Sequence, residues 1–232
     1  MSDALLVLWD IDHTLIDGGG VARRAVEAAF RRATGIPLSW ELTYQGRTEI
    51  AATTELLRAH DLEPADGLMG SYLELLVAEM RDRAGDLADE GRALPGAREA
   101  LAALAGLAGV RQSVLTGNLL ALAELKLAAF DLTEHLDLRL GAYGEDAYER
   151  TDLPAHAFDR AERVLGRRFT GPETVIIGDT VRDVHTAHAV GARAVAVATG
   201  LVPAAELAAA GADVVLPDLA DTAAVLAAVT GR

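Results

Sequence analysis

Two aspartates one residue apart, Asp10 and Asp12, follow directly on an apolar run, Leu5-Leu6-Val7-Leu8-Trp9. Two further polar clusters follow candidate strands in the same way. They are Thr116-Gly117-Asn118 after Gln112–Leu115, and Gly178-Asp179-Thr180, with Asp183 one turn on, after Thr174–Ile177. Singly, each has a plain explanation, because Thr, Asn and Asp are common helix caps and turn residues. Together they describe a chemistry. Carboxylates gathered with no matching cations beside them in sequence raise one another's pKa values. A hard divalent cation taking oxygen ligands removes that conflict, and magnesium is the usual choice where phosphate is handled. A hydroxyl, a glycine and main-chain amides opening a helix add a cradle for phosphoryl oxygens.

For these clusters to meet, the apolar runs must be neighbouring strands of one sheet. A run with no polar alternation reads as a strand buried on both faces, as in a parallel sheet covered by helices. Ligands in such sheets collect at the carboxyl ends of the strands. From Gly96 onward strands and helices alternate: helix 96–105, strand 112–116, helix 119–129, strand 136–140, helix 154–165, strand 174–178, helix 182–190, strand 194–198, helix 203–210, strand 213–216 and helix 221–229. Alternation of this kind predicts an α/β, doubly wound, Rossmann-like parallel sheet. Between Asp17 and Leu94 the pattern is helical throughout. Val21, Ala25, Ala29 and Ala33 recur at helical spacing with Gly35 placed to stop the helix, and a second helical stretch runs from Arg47 to about Arg83. No strand pattern is visible there. The economical reading is a core of residues 1–17 and 94–232 with an inserted α-helical cap domain of residues 18–93.

The 232 residues, 51% of them hydrophobic, can bury a full core. No cysteine is present, so thiolate metal sites and disulfides are excluded. The chain enters a strand almost at once, without a basic region or a small-residue cleavage site, and no apolar run approaches a membrane span; a cytoplasmic location is expected. A formal charge of −14 argues against nucleic acid and membrane surfaces as partners. It also means that an anionic substrate must be drawn in locally, by a metal ion or a few placed cations.

Asp10-Ile11-Asp12-His13-Thr14, Thr116-Gly117-Asn118 and Gly178-Asp179-Thr180-Val181-Arg182-Asp183 resemble motifs one, two and four of the haloacid dehalogenase superfamily, in the same order and strand contexts. The branch most similar is that of phosphoglycolate-phosphatase-like hydrolases with a helical cap after the first motif. The resemblance implies that Asp10 is a nucleophile forming an aspartyl-phosphate that water then hydrolyses. It implies that Asp12 is the acid toward the leaving alcohol and then the base for water. Magnesium would be held by Asp10, the main-chain carbonyl of Asp12 and Asp179, with Asp183 in support. Thr116, Gly117 and the Asn118 backbone would hold the phosphoryl oxygens. The second aspartate also separates two chemistries: halide leaves without a proton, whereas an alkoxide needs one, so phosphate-ester hydrolysis is expected rather than dehalogenation. A small phosphorylated metabolite such as phosphoglycolate or a sugar phosphate is the implied substrate. A phosphomutase, or a phosphoacceptor module that does not turn over, is the alternative.

The third motif supplies one cation, usually lysine, and no Lys-Pro pair precedes the helix at Pro154. Arg150 lies where that cation belongs and would bind phosphate as a fork. Lys126, the only lysine, sits well inside the helix after Thr116, far from its amino terminus, and is the less favoured of the two candidates. Arg47 opens a cap helix and is a candidate for reading the substrate. His13 stands where glycine is commonest and either tunes Asp12 or simply fits the turn. His185 and His188 share a helix face but lack a third ligand, which favours surface or packing roles over a metal pair. Trp9 and Trp40 read as packing residues.

Overall fold

The computed structural model describes residues 4–39 and 46–231; Trp40 therefore lies outside the described residues. The core is a five-stranded parallel sheet in the order β4-β1-β5-β6-β7, formed by β1 (Leu5–Trp9), β4 (Val110–Val114), β5 (Thr174–Gly178), β6 (Arg193–Val197) and β7 (Val214–Leu216). β1 pairs with β4 on one side and β5 on the other, with Leu8 opposite both Ser113 and Ile176. The order reverses at β1, so the ends of β1, β4 and β5 form the crevice where such sheets bind ligands.

β1 alternates between two cores. Val7 and Trp9 pack on one face of the sheet, Leu6 and Leu8 on the other, and all four are fully buried. Trp9 is a packing residue, as its apolar setting suggested. Its indole N–H donates to Gln112 Oε1 at 3.1 Å, and the Gln112 amide donates in turn to the Leu101 carbonyl at 2.8 Å. With every polar atom in that chain satisfied, cutting Trp9 to alanine would leave a void costing about 3–5 kcal/mol.

The first core face is covered by α5 (Ala97–Ala105), α6 (Leu120–Ala129) and α10 (Thr222–Thr230); the second by α7 (Leu153–Leu165), α8 (Val181–Ala189) and α9 (Ala204–Ala209). Between β1 and β4 come four helices: α1 (Val21–Thr34), α2 (Glu49–Ala59), α3 (Asp66–Asp82) and α4 (Ala84–Glu90). α1 buries Val21, Ala25, Ala29 and Phe30 and ends at Gly35, whose φ of 77° is the left-handed conformation that glycine adopts without strain. The helical run expected over 47–83 breaks after α2, where Asp61 takes a positive φ of 57° and Pro64 cannot continue a helix.

Two expectations fail. The stretch Leu136–Leu140 is not a strand. Its apolar alternation is real, but the chain crosses the end of β4 rather than running beside it. It bonds at separate points, Asp137 N–H to the Gln112 carbonyl (2.9 Å) and Ala142 N–H to Val114 (3.0 Å), and residues 138–140 wind into a 3₁₀ turn capped by the Asp137 carboxylate. The span from Asp17 to Leu94 is also not free of strand. β2 (Ile16–Asp17) pairs antiparallel with β3 (Arg92–Ala93), and Asp17 forms a 2.6 Å ion pair with Arg92. Strands of two residues are too short to show a period. No helix among the described residues is long and apolar enough to cross a membrane.

Candidate active site

β1 ends at Trp9, and Asp10 is its next residue, held in line by its N–H donating to the Ile177 carbonyl at 2.8 Å. The chain then turns sharply. His13 takes φ 60°, the left-handed region, which explains why glycine is favoured at this position; its carbonyl accepts from the Thr199 hydroxyl. The turn aims Asp10 and Asp12 differently, and each meets its own cation.

Asp10 meets Arg150. The guanidinium, 5% exposed at the turn before α7, donates from Nη2 to Asp10 Oδ1 at 2.8 Å and to Asp183 Oδ1 at 2.5 Å. Asp183 spends its other oxygen on the Thr180 N–H and hydroxyl, the capping box that starts α8. A Cβ at Gly178 would overlap the Asp183 carboxylate, so the strand can end this close to the helix only with glycine there. Asp179 completes the group. One carboxylate oxygen from each of Asp10, Asp179 and Asp183 lies within 4.8 Å of the other two, and Asp179 Oδ2 is buried with no partner.

Burial pushes the Asp10 carboxyl up to about 7, against the pull of Arg150 and with help from Asp183. Burial and the charges of Asp10 and Asp183 push Asp179 up to about 9. One guanidinium cannot neutralise three buried carboxylates. The orphaned Asp179 oxygen and the all-oxygen donor set fit a divalent cation such as Mg²⁺.

Asp12 meets Lys126. The ammonium, on a residue 4% exposed, donates to Asp12 Oδ1 at 2.8 Å, to Asp12 Oδ2 at 2.7 Å and to Asn118 Oδ1 at 2.7 Å. The Asn118 amide donates to Asp12 Oδ2 at 2.7 Å and to the Thr116 hydroxyl at 2.8 Å. Burial alone would raise the Asp12 carboxyl, but Lys126 overrides it and, with Asn118, holds it below the ordinary range. Lys126 therefore does reach the site, contrary to expectation. It lies on the buried face of α6 with Leu122, and side chains on a helix lean toward its amino terminus. That buried-face spacing was the available signal; distance counted along the helix axis hid it.

Thr116 and Asn118 are not helix caps, since the residue capping α6 is Leu119. The Leu120 N–H is met by the Glu145 carboxylate at 3.0 and 3.1 Å, so any phosphate cradle is the 116–118 loop itself. Residues before α2 lie directly over that loop. The Glu49 N–H donates to the Gly117 carbonyl at 2.8 Å, and a Cβ on Gly117 would overlap the Arg47 carbonyl. The side chains of Arg47 and Glu49 line a cavity of about 290 Å³ with Asp10, Asp12, Lys126 and Arg150. Arg47 also pairs with Glu55. Glu49 is a lining residue with no motif to announce it; burial pushes its carboxyl up to about 7, opposed by Lys126. His185 and His188 are exposed on α8.

The model of the haloacid dehalogenase-like hydrolases matches residues 7–188, a span that takes in Asp10, Asp12, Thr116, Lys126, Arg150, Asp179 and Asp183. The chain belongs to that family. A "predicted phosphoglycolate phosphatase" from Haemophilus somnus superposes with a TM-score of 0.71 at 18% identity, covering 97% of this chain and 99% of that one. A hydrolase from Pseudomonas syringae gives 0.72 at 24% identity, covering 96% and 97%. CbbY from Rhodobacter sphaeroides, solved in complex with phosphate, gives 0.69 at 22% identity, covering 94% and 96%. No curated protein sequence matches. At these identities the solved structures speak for the fold, while the family makes the chain a hydrolase.

Proposed function

We propose that this hydrolase is a magnesium-dependent phosphomonoesterase for a small phosphorylated metabolite. The observation that carries the reading is the convergence on Asp10 of a buried guanidinium and a carboxylate cluster with an orphaned oxygen. Arg150 engages Asp10 Oδ1, and no hydrogen bond from a described residue reaches Oδ2, the oxygen left to attack. It forms a bond to phosphorus as the bond from phosphorus to the leaving oxygen breaks, and that oxygen takes a proton from the protonated form of Asp12, a minor species that its lowered pKa makes a strong acid. Water then attacks the aspartyl-phosphate, giving its proton to the Asp12 carboxylate and releasing phosphate. Arg150 Nε is buried without a partner and is available to a phosphoryl oxygen. Thr116, Gly117 and Asn118 border the same space.

Asp10, Asp179, Asp183 and the Asp12 carbonyl would hold Mg²⁺, which when bound screens the carboxylates from the incoming phosphate. Residues 18–93 serve as the cap, with the β2–β3 ribbon at its two crossings into the core, and Arg47 reads the substrate. A closed cap excludes water from the reacting centre.

The test is phosphate release from a panel of phosphomonoesters with Mg²⁺, by the wild type and by Asp10→Asn. Loss of the nucleophile is expected to cost at least about 10⁴-fold in kcat, the scale seen when such groups are removed elsewhere. Full activity with asparagine at position 10, or a wild type that hydrolyses no ester, overturns the reading.

A further inference from the structure

Beside the main cavity lies a second, of about 180 Å³, on the seam between the start of α2 and the start of α8. Arg47 and Arg150 belong to the walls of both cavities. The second adds Arg182, His185 and Glu149. Two of its arginines have anionic partners: Arg150 holds Asp10 and Asp183, and Arg47 holds Glu55. Arg182 has none. No hydrogen bond or ion pair joins its guanidinium to a described residue, and Glu149 attracts it without coming within ion-pair distance. Arg182 lines the cavity beside Arg47 and Arg150 with its own guanidinium unpaired among the described residues. An anion entering this cavity meets a guanidinium for which no described residue competes. In a chain of net charge −14 it is an unusual place for unspent positive charge.

We propose that this seam, through Arg182 with Arg47 and His185, is a subsite for a second anionic group carried on the same substrate as the transferred phosphate. The inference rests on the phosphatase reading and narrows it to phosphomonoesters bearing a carboxylate or second phosphate on a short chain. Arg47 lines both cavities and would lie beside the chain that joins the two anionic groups. A guanidinium suits either anion because its fork matches two oxygens at once.

The experiment compares esters that differ only in the distal group: 3-phosphoglycerate against glycerol 3-phosphate, and 2-phosphoglycolate against 2-hydroxyethyl phosphate. In the wild type with Mg²⁺, the acid of at least one pair is expected to have the larger kcat/KM, expressed mainly in KM. In Arg182→Gln that acid-to-neutral ratio should fall about tenfold, and in Arg182→Lys it should be largely regained. Arg182 is exposed, so the variants should fold, which a thermal melt confirms. A wild type that hydrolyses p-nitrophenyl phosphate but prefers neither acid overturns the second subsite and leaves the phosphatase standing. An acid preference that survives in Arg182→Gln overturns the role of Arg182. A wild type inactive on every ester removes the phosphatase reading and this inference with it.

Discussion

The two aspartates that close β1 are one residue apart and live in opposite electrostatic surroundings. Asp10 is nearly fully buried, shares Arg150 with Asp183, faces Asp179, and has its carboxyl pushed up to about 7. Asp12 is partly open to the cavity, is the one carboxylate among the described residues that hydrogen-bonds Lys126, and is held below the ordinary carboxylate range. Cation supply makes the difference. One guanidinium divided between two carboxylates, with a third beside them, leaves a deficit of positive charge that a metal ion can fill. One ammonium bonded to one carboxylate leaves Asp12 ionised and the deficit on this side to Glu49, whose carboxyl is pushed up to about 7. The Asp10 side is thus built to take up a cation and an anion together, and the Asp12 side to keep a proton acceptor ionised.

Breaking the Asp10 side should have the larger effect. Arg150→Met removes the guanidinium that touches Asp10 and faces the phosphate. A loss of about 10²–10³-fold in kcat is expected, the scale for deleting one charge-stabilising donor. The same change leaves Asp10 and Asp183 buried without their partner, a situation that costs about 3–5 kcal/mol when a buried pair is halved. Activity and thermal melts must therefore be read together. Arg150→Lys, which keeps the charge but not the fork, should recover stability more fully than activity. Equal recovery of both would mean that Arg150 is a structural counter-ion only.

Breaking the Asp12 side should cost less and show itself in pH. In Lys126→Met, Asp12 loses the charge that holds its pKa down, so burial moves it upward. A base must be ionised to accept the proton from water, so the acid limb of the activity profile should shift to higher pH. Near pH 6 a loss of about tenfold is expected in kcat for the step in which water attacks the phosphoenzyme, well short of the 10²–10⁴ attributed to an acid–base group itself. An acid limb that does not move would separate Lys126 from Asp12 in function.

The contrast between the two sides also measures what the sequence could say. Five parallel strands and the polar clusters at their ends were legible because buried strands are continuous apolar runs and their termini switch abruptly to Asp, Thr and Gly. Arg150 was legible by position, since it sits between the crossing at β4 and α7. Lys126 was not, because counting residues from a helix amino terminus ignores that a lysine stem can lean back along the helix. Glu49 was hidden for a different reason: it is brought in by a loop over Gly117, and such contact between distant segments has no local period. The same holds for the β2–β3 ribbon, whose four residues carry no pattern. Leu136–Leu140 shows the reverse error, an alternation that meets too few strand partners to become a strand.

The smallest expected effect tests the charge deficit directly, without turnover. A carboxyl whose folded pKa lies above its unfolded value contributes stability that is complete below the unfolded pKa and lost as pH rises through the folded one. For Asp179 that window runs from its ordinary value of 3.8 up to about 9. Metal-free protein should therefore lose thermal stability between pH 6 and pH 8. Mg²⁺ should restore more of it at pH 8, where Asp10 and Asp179 give up protons more readily to the cation. A shift of a few degrees in Tm is the expected scale for about 1 kcal/mol in a chain of this size. Asp179→Asn should raise the metal-free Tm at pH 8 and abolish most of the gain from Mg²⁺, while Asp12→Asn, which alters only the carboxylate bonded to Lys126, should leave most of that gain in place. If both variants lose the gain equally, the deficit that Mg²⁺ fills is not confined to the Asp10 side, and the division between the two aspartates falls.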